Sequence, residues 1–198
     1  MIIKKIINHE SWTLDLKTGL VGGAIYEASP NFNGRPDPIN SAINLIVIHN
    51  ISLPPEDFDP RYNYVRDLFL NQLNHEEHIY FETLRGLEVS SHFYIRRNGA
   101  LWQFVPTHLR AWHAGKSLFE GRKNCNDFSL GIELEGADMI PYSEEQYVRL
   151  CDLLKLLMLA YPQIEVNRIV GHSDIASDRK TDPGESFDWI RVRKNLIN

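Results

Sequence analysis

Two histidines and an aspartate, His49, His172 and Asp182, are the residues whose types point to chemistry. Two imidazoles and one carboxylate are a frequent protein shell for catalytic zinc, with a fourth position left open to water. His49 ends the apolar run Leu45-Ile46-Val47-Ile48, and His172 follows Ile169-Val170-Gly171. Asp182 lies in Arg179-Lys180-Thr181-Asp182-Pro183-Gly184. The spacing alone is a weak signal, because eight histidines are present and no His-Glu-x-x-His pattern sets two of them on one helix face. Position adds weight: a side chain where a buried strand opens into a loop is where α/β folds place functional groups. Asp182 is equally suited to start the turn before Pro183.

A metal-assisted hydrolase also needs a proton acceptor and a cation. Glu133 and Glu135, in Gly131-Ile132-Glu133-Leu134-Glu135-Gly136, are two apart on a strand and share a face; they suit either a proton acceptor at a site or an exposed acidic edge. Lys180 suits an oxyanion partner, or a solvated surface position. Trp102, Phe104, Trp112 and His113 cluster around a hairpin and the loop after it. Core packing fits the first two, whereas Trp112 and His113, between Arg110-Ala111 and Ala114-Gly115-Lys116, fit a ligand-facing loop in which an aromatic face stacks on a sugar.

These residues need a frame. The chain has 198 residues, 43% hydrophobic and 24% charged, with a net charge of -5. That is enough for one domain with a sizeable core, expected to span 1–198. No basic block is present, so no nucleic-acid partner is expected. No window approaches the ~20 apolar residues of a membrane span. The N-terminus lacks the apolar stretch of roughly 7–15 residues of a secretory leader, which predicts a cytosolic protein. Cys125 and Cys151 are expected to be buried free thiols.

Residues 1 to about 42 read as an irregular wrapping segment without its own core, the first 28 as an N-terminal extension. The apolar run Ile43–Ile48 predicts a strand buried on both faces, and the spacing of Tyr62, Val65, Leu68, Phe69 and Leu73 a helix over 61–73. A loop or short helix over a site is expected at 74–87. Asn98-Gly99 predicts a hairpin between 92–97 and 100–105, and 106–127 reads as a long loop. Phe128–Leu134 is a second core strand. Ser143-Glu144-Glu145-Gln146 predicts a capping box opening a helix that Pro162 stops. Val166–Val170 is a short strand leading to His172, and a closing helix capped by Ser186 covers 187–197. The intermixed elements predict one α/β domain with a central mixed β-sheet flanked by helices.

Six motifs then combine: Val47-Ile48-His49-Asn50-Ile51-Ser52-Leu53-Pro54-Pro55, Arg110-Ala111-Trp112-His113-Ala114-Gly115, Cys125-Asn126-Asp127-Phe128-Ser129, Gly131 to Gly136, Gly171-His172 and Arg179 to Gly184. In this order, over about Ser29–Trp189, they resemble the AmpD family of cytosolic 1,6-anhydro-N-acetylmuramyl-L-alanine amidases, related to phage amidases and peptidoglycan recognition proteins. The resemblance implies the mixed-sheet fold and one zinc per chain held by His49, His172 and Asp182. It places the catalytic glutamate at Glu133 and the catalytic lysine at Lys180. Asn50, Tyr80 and Trp112 fall on positions that line the family's site.

The implied reaction cleaves the amide between N-acetylmuramic acid and L-alanine in anhydro-muropeptides, during peptidoglycan recycling, a process linked to β-lactamase induction. The substrate is then the expected partner, with no obligate protein partner. Glu88 and Asn124 stand where relatives often carry basic residues near the stem-peptide carboxylates; Arg110, Arg122 or Lys123 are the substitutes in this chain. A module that binds muropeptides without cutting them typically lacks a metal ligand, whereas here all three are in place. A wall-degrading amidase outside the cytosol is the other alternative, disfavoured by the missing leader.

Overall fold

The structure, a computed structural model, describes residues 1–7, 10–36 and 42–197; Pro38, at the end of the turn-rich N-terminal run, lies outside them. The N-terminal segment is more regular than expected. Strands β1 (Ile2–Ile7), β2 (Glu10–Asp15) and β3 (Leu20–Gly22) form an antiparallel meander. The period-two pattern Ser11-Trp12-Thr13-Leu14 accounts for it, sending Trp12 and Leu14 inward, where with Val21 they join the main core. The Gln103 side chain ties the meander down, accepting from Val21 N–H and donating to the Gly19 carbonyl.

The short strands β4 (Ile25–Tyr26) and β5 (Phe32–Asn33) precede the first central strand, β6 (Leu45–Ile51). Helix α1 (Tyr64–Phe69) is shorter than the periodicity predicts. Asn63 caps its start by accepting from Arg66 N–H, and the left-handed backbone of Asn71 (φ 57°) ends it. A 3₁₀ turn covers Ile79–Leu84, where a loop or short helix was expected. Strands β7 (Phe93–Ile95) and β8 (Leu101–Gln103) form the predicted hairpin. Only Gly99 in its turn takes positive φ, at 77°; Gly99 N–H donates to Arg96 O, and Arg96 N–H to Ala100 O. That is a type I turn closed by a glycine bulge.

The segment 106–127 is not bare loop. It carries β9 (Arg110–Ala111), paired with β5, and the small hairpin of β10 (Leu118–Phe119) and β11 (Arg122–Lys123). Strand β12 (Ser129–Glu135) is the second core strand. Helix α2 (Glu144–Ala160) opens on the predicted capping box at Ser143 and Gln146. Its Leu150, Leu153, Leu154 and Leu157 are fully buried, each contributing roughly 1.5–3 kcal/mol relative to exposure. A 3₁₀ turn at Val166–Arg168 takes part of the expected last strand, leaving β13 (Ile169–Gly171). Helix α3 (His172–Ile175) follows directly. The closing helix α4 (Trp189–Ile197) starts later than predicted: Asp188, not Ser186, accepts from a first-turn amide, Arg191 N–H at 2.8 Å.

The central sheet runs β13-β6-β12-β7-β8-β4. Its pairs are parallel except the β7–β8 hairpin, so it is the expected mixed sheet flanked by helices. Ile46, Ile48, Leu130, Ile132 and Leu134 pack with α2 in one core, while Leu45 and Val47 pack with Cys125, Phe128 and Ile175 on the opposite face. Both cysteines are free and buried. Among the described residues, no helix is long and apolar enough to cross a membrane.

Candidate active site

Parallel pairing of β6 with β12 sets the site. The register places Glu133 opposite His49, and alternation turns both away from the α2 face. On the other flank of β6, β13 ends at Gly171, so His172 opens α3 beside His49. The loop after α3 returns Asp182 to the same point, held by Ser173 N–H donating to the Asp182 carbonyl at 3.0 Å. Gly184 (φ 82°) completes this turn. A Cβ there would stand 2.1 Å from the Asp138 Cα, so only glycine lets the two loops meet.

Three donor atoms converge. His49 Nδ1 lies 2.9 Å from His172 Nδ1 and 3.0 Å from Asp182 Oδ2, and His172 Nδ1 lies 3.1 Å from the same oxygen. All three residues are buried. Donors on a tetrahedron with bonds of about 2.0–2.1 Å stand roughly 3.3 Å apart, close to what is seen. His172 Nε2 faces the Ala114 carbonyl at 3.2 Å. A carbonyl only accepts, so Nε2 carries the proton and Nδ1 offers its lone pair inward. Donor type, number and spacing therefore fit a divalent metal with an open fourth position.

Burial and charge set the electrostatics of the site. Burial pushes the His49 imidazole down to about 4, against the opposing pull of its bond to Asp182. Burial alone would raise the Asp182 carboxyl; its close contacts with the His172 and His49 rings outweigh it and hold the group below the usual carboxylate range. Glu133 goes the other way. Burial first, then the Asp182 charge, raise it well above an ordinary glutamate, while Lys180 opposes the shift.

The structure separates the two glutamates of β12. Glu135 is committed to Arg96 at 3.0 Å and to Arg97 N–H at 2.7 Å. Glu133 is buried, and its Oε2 has no hydrogen-bond partner among the described residues. It faces a cleft of about 840 Å³ that also reaches His49, His172, Asp182 and Lys180.

Of the other sequence-predicted residues, Asn50, Tyr80, Trp112 and His113 border this cleft. Asn50 donates to Asp138 Oδ1 at 2.8 Å, and the Trp112 indole N–H to Asn33 Oδ1 at 2.9 Å. Tyr80 stands on the 3₁₀ turn, partly exposed. His113 is buried, with both ring nitrogens taken up inside the protein. Arg122 is not among the cleft residues; its guanidinium lies 3.9 Å from the centre of the Phe128 ring, a stacking contact that turns it into the fold. Arg110 pairs with Asp127; among the described residues, the Lys and Arg side chains bordering the cleft are Arg179 and Lys180.

A family model for N-acetylmuramoyl-L-alanine amidase matches residues 39–185. A relative from Haemophilus influenzae, the 1,6-anhydro-N-acetylmuramyl-L-alanine amidase AmpD, is 47% identical over 92% of this chain and 97% of its own length. The chain belongs to the AmpD family of amidases. The crystal structure of a selenomethionine derivative of AmpD superposes with a TM-score of 0.86, at 43% identity over 92% of this chain and 98% of that one. A more distant amidase, AmiD from Escherichia coli, shows a TM-score of 0.57 at 31% identity, over 78% of this chain and 57% of its own. That structure is a complex with the substrate anhydro-N-acetylmuramic acid-L-Ala-D-gamma-Glu-L-Lys.

In this AmpD-family chain, three site residues escaped the sequence reading. Arg179 borders the cleft while bonding the Ala114 and Lys116 carbonyls. Asp138 holds Asn50, and Ser129 meets His113. Arg179 and Ser129 lie inside the motifs Arg179 to Gly184 and Cys125 to Ser129, and that position is their signal in the sequence.

Proposed function

We propose that this chain uses one zinc, held by His49, His172 and Asp182, to hydrolyse the amide joining the lactyl carboxyl of N-acetylmuramic acid to L-alanine. Its substrates are soluble 1,6-anhydro-muropeptides met in the cytosol during peptidoglycan recycling. The single observation that carries the reading is the convergence of three buried candidate metal donors beside Glu133, whose Oε2 has no hydrogen-bond partner among the described residues, along a cleft large enough for a sugar and a peptide. The names and the bound substrate of the AmpD and AmiD relatives support the choice of bond.

Zinc, when bound, is a Lewis acid that polarises a carbonyl and makes water acidic enough to attack near neutral pH. The chain's residues supply the rest. Glu133 accepts a proton from the attacking water and returns it to the leaving nitrogen. The water's oxygen bonds the lactyl carbonyl carbon, the C–N bond breaks, and both water protons end on the L-alanine amine. Lys180 meets the negative oxygen of the tetrahedral intermediate. Trp112 and Tyr80 offer aromatic surface to the sugar, and Asn50, steadied by Asp138, a polar group.

Glu88, on the cleft wall, sets a negative charge where stem-peptide carboxylates would come, so the third stem residue contributes little to binding. We read residues 1–198 as one amidase domain in which the N-terminal meander buttresses α2.

Metal analysis tests the shell. The native chain should carry one zinc, and His172→Ala and Asp182→Ala should each fall well below that after dialysis. Full occupancy in both variants would place the metal elsewhere.

A further inference from the structure

His113 sits where no substrate contact explains its bonding. Its Nδ1 lies 3.0 Å from His49 Nε2, and its own Nε2 lies 3.2 Å from the Ser129 hydroxyl. The Ser129 Oγ in turn lies 2.6 Å from the Cys125 carbonyl. Protons can be assigned along this row from its far end. A carbonyl cannot donate, so the single hydroxyl proton of Ser129 points to Cys125. The Ser129 oxygen is then an acceptor toward the ring, which requires His113 to carry its proton on Nε2. A neutral His113 so protonated has a bare Nδ1, and the bond to His49 must come from His49 Nε2–H. His49 is left with an unprotonated Nδ1, aimed at His172 and Asp182.

The ring's place is built into the sheet. Gly131 lies on β12 two residues before Glu133, and a Cβ there would stand 2.5 Å from the His113 ring. Its glycine character admits the imidazole against the strand. Ser129, two residues earlier on the same face, is fully buried. His113 N–H is also engaged, donating to Asn126 Oδ1 at 3.2 Å.

We infer that His113, backed by Ser129 and the Cys125 carbonyl, is a positioning residue that fixes His49 as its Nε2–H tautomer and so presents Nδ1 to the metal. The inference rests on the proposed zinc shell and adds the part that orients one of its ligands. Partners of this kind typically change metal affinity about 10–100-fold when removed. It also replaces the substrate-contacting role expected of His113.

The tautomer can be read without metal. Long-range proton–nitrogen NMR correlations of the metal-free protein should show His49 protonated at Nε2. His113→Leu keeps the bulk but removes the acceptor; His49 should then populate the Nδ1–H form, and the zinc Kd from chelator competition should rise about 10–100-fold. His113→Asn, whose amide oxygen can take the place of Nδ1, should recover most of that affinity. Thermal unfolding of each metal-free variant monitors the fold. Should His113→Leu fail to fold, Ser129→Ala keeps the ring and should still shift His49 toward a tautomer mixture. A native spectrum with His49 protonated at Nδ1, or a folded His113→Leu protein with native zinc affinity, would overturn the assignment. A native protein that binds no zinc would contradict the metal shell instead, and the NMR spectra would still decide the tautomer.

Discussion

Glu133→Gln is expected to fold, to keep its zinc and to lose about 10²–10⁴ in kcat, the usual cost of removing a general base. An amide of the same shape cannot take the proton of the attacking water. The neighbouring carboxylates are committed elsewhere: Glu135 is bound to Arg96 and to Arg97 N–H, Asp182 is held among the candidate metal donors, and Asp138, which also borders the cleft, accepts from Asn50. Burial makes the Glu133 carboxyl a better base than an exposed glutamate. The same burial makes the neutral amide easy to accommodate, so folding should not suffer. Steady-state kinetics on metal-quantified protein check this. Near-native kcat in a zinc-loaded variant would move the base to another residue.

Lys180→Ala should lower kcat by about 10²–10³ with little change in KM, typical of the loss of one oxyanion partner. A cation that meets charge only as the tetrahedral intermediate forms stabilises the transition state and not bound substrate. Lys180 borders the cleft at the end of α3's following loop, where its backbone N–H bonds the Ala176 carbonyl. Its side chain is exposed, so the loss is one of catalysis and not of stability. A rise confined to KM would instead make Lys180 an anchor for a substrate carboxylate.

The candidate metal donors were legible as residue types, and the motif resemblance joined them as a set, but where they meet in space was not legible. His49, His172 and Asp182 became one site through parallel pairing, which no local turn specifies. The strands β6 and β12 were legible because their near-continuous apolar runs mark burial on both faces. Their register, which sets Glu133 beside His49 and thereby separates it from Glu135, was not. Local signals with a short physical reach came through well, as at Ser143 with Gln146 and at Gly99. The N-terminal meander was missed because its alternation at Trp12 and Leu14 is only a few residues long. The closing helix began late because an aspartate at position 188 outcompeted Ser186 for the first-turn amide. His113 showed only a loop with aromatic neighbours. Its bonding depends on Ser129 and Gly131, which reach it through the sheet.

This chain is expected to cut one particular amide. The zinc-loaded protein, incubated in oxygen-18 water with anhydro-N-acetylmuramic acid-L-Ala-D-gamma-Glu-L-Lys, should give two products by mass spectrometry: the unlabelled peptide with a free L-alanine amine, and anhydro-N-acetylmuramic acid labelled in its lactyl carboxylate. An intact substrate, a cut within the peptide, or label on the peptide instead of the sugar acid would contradict the account.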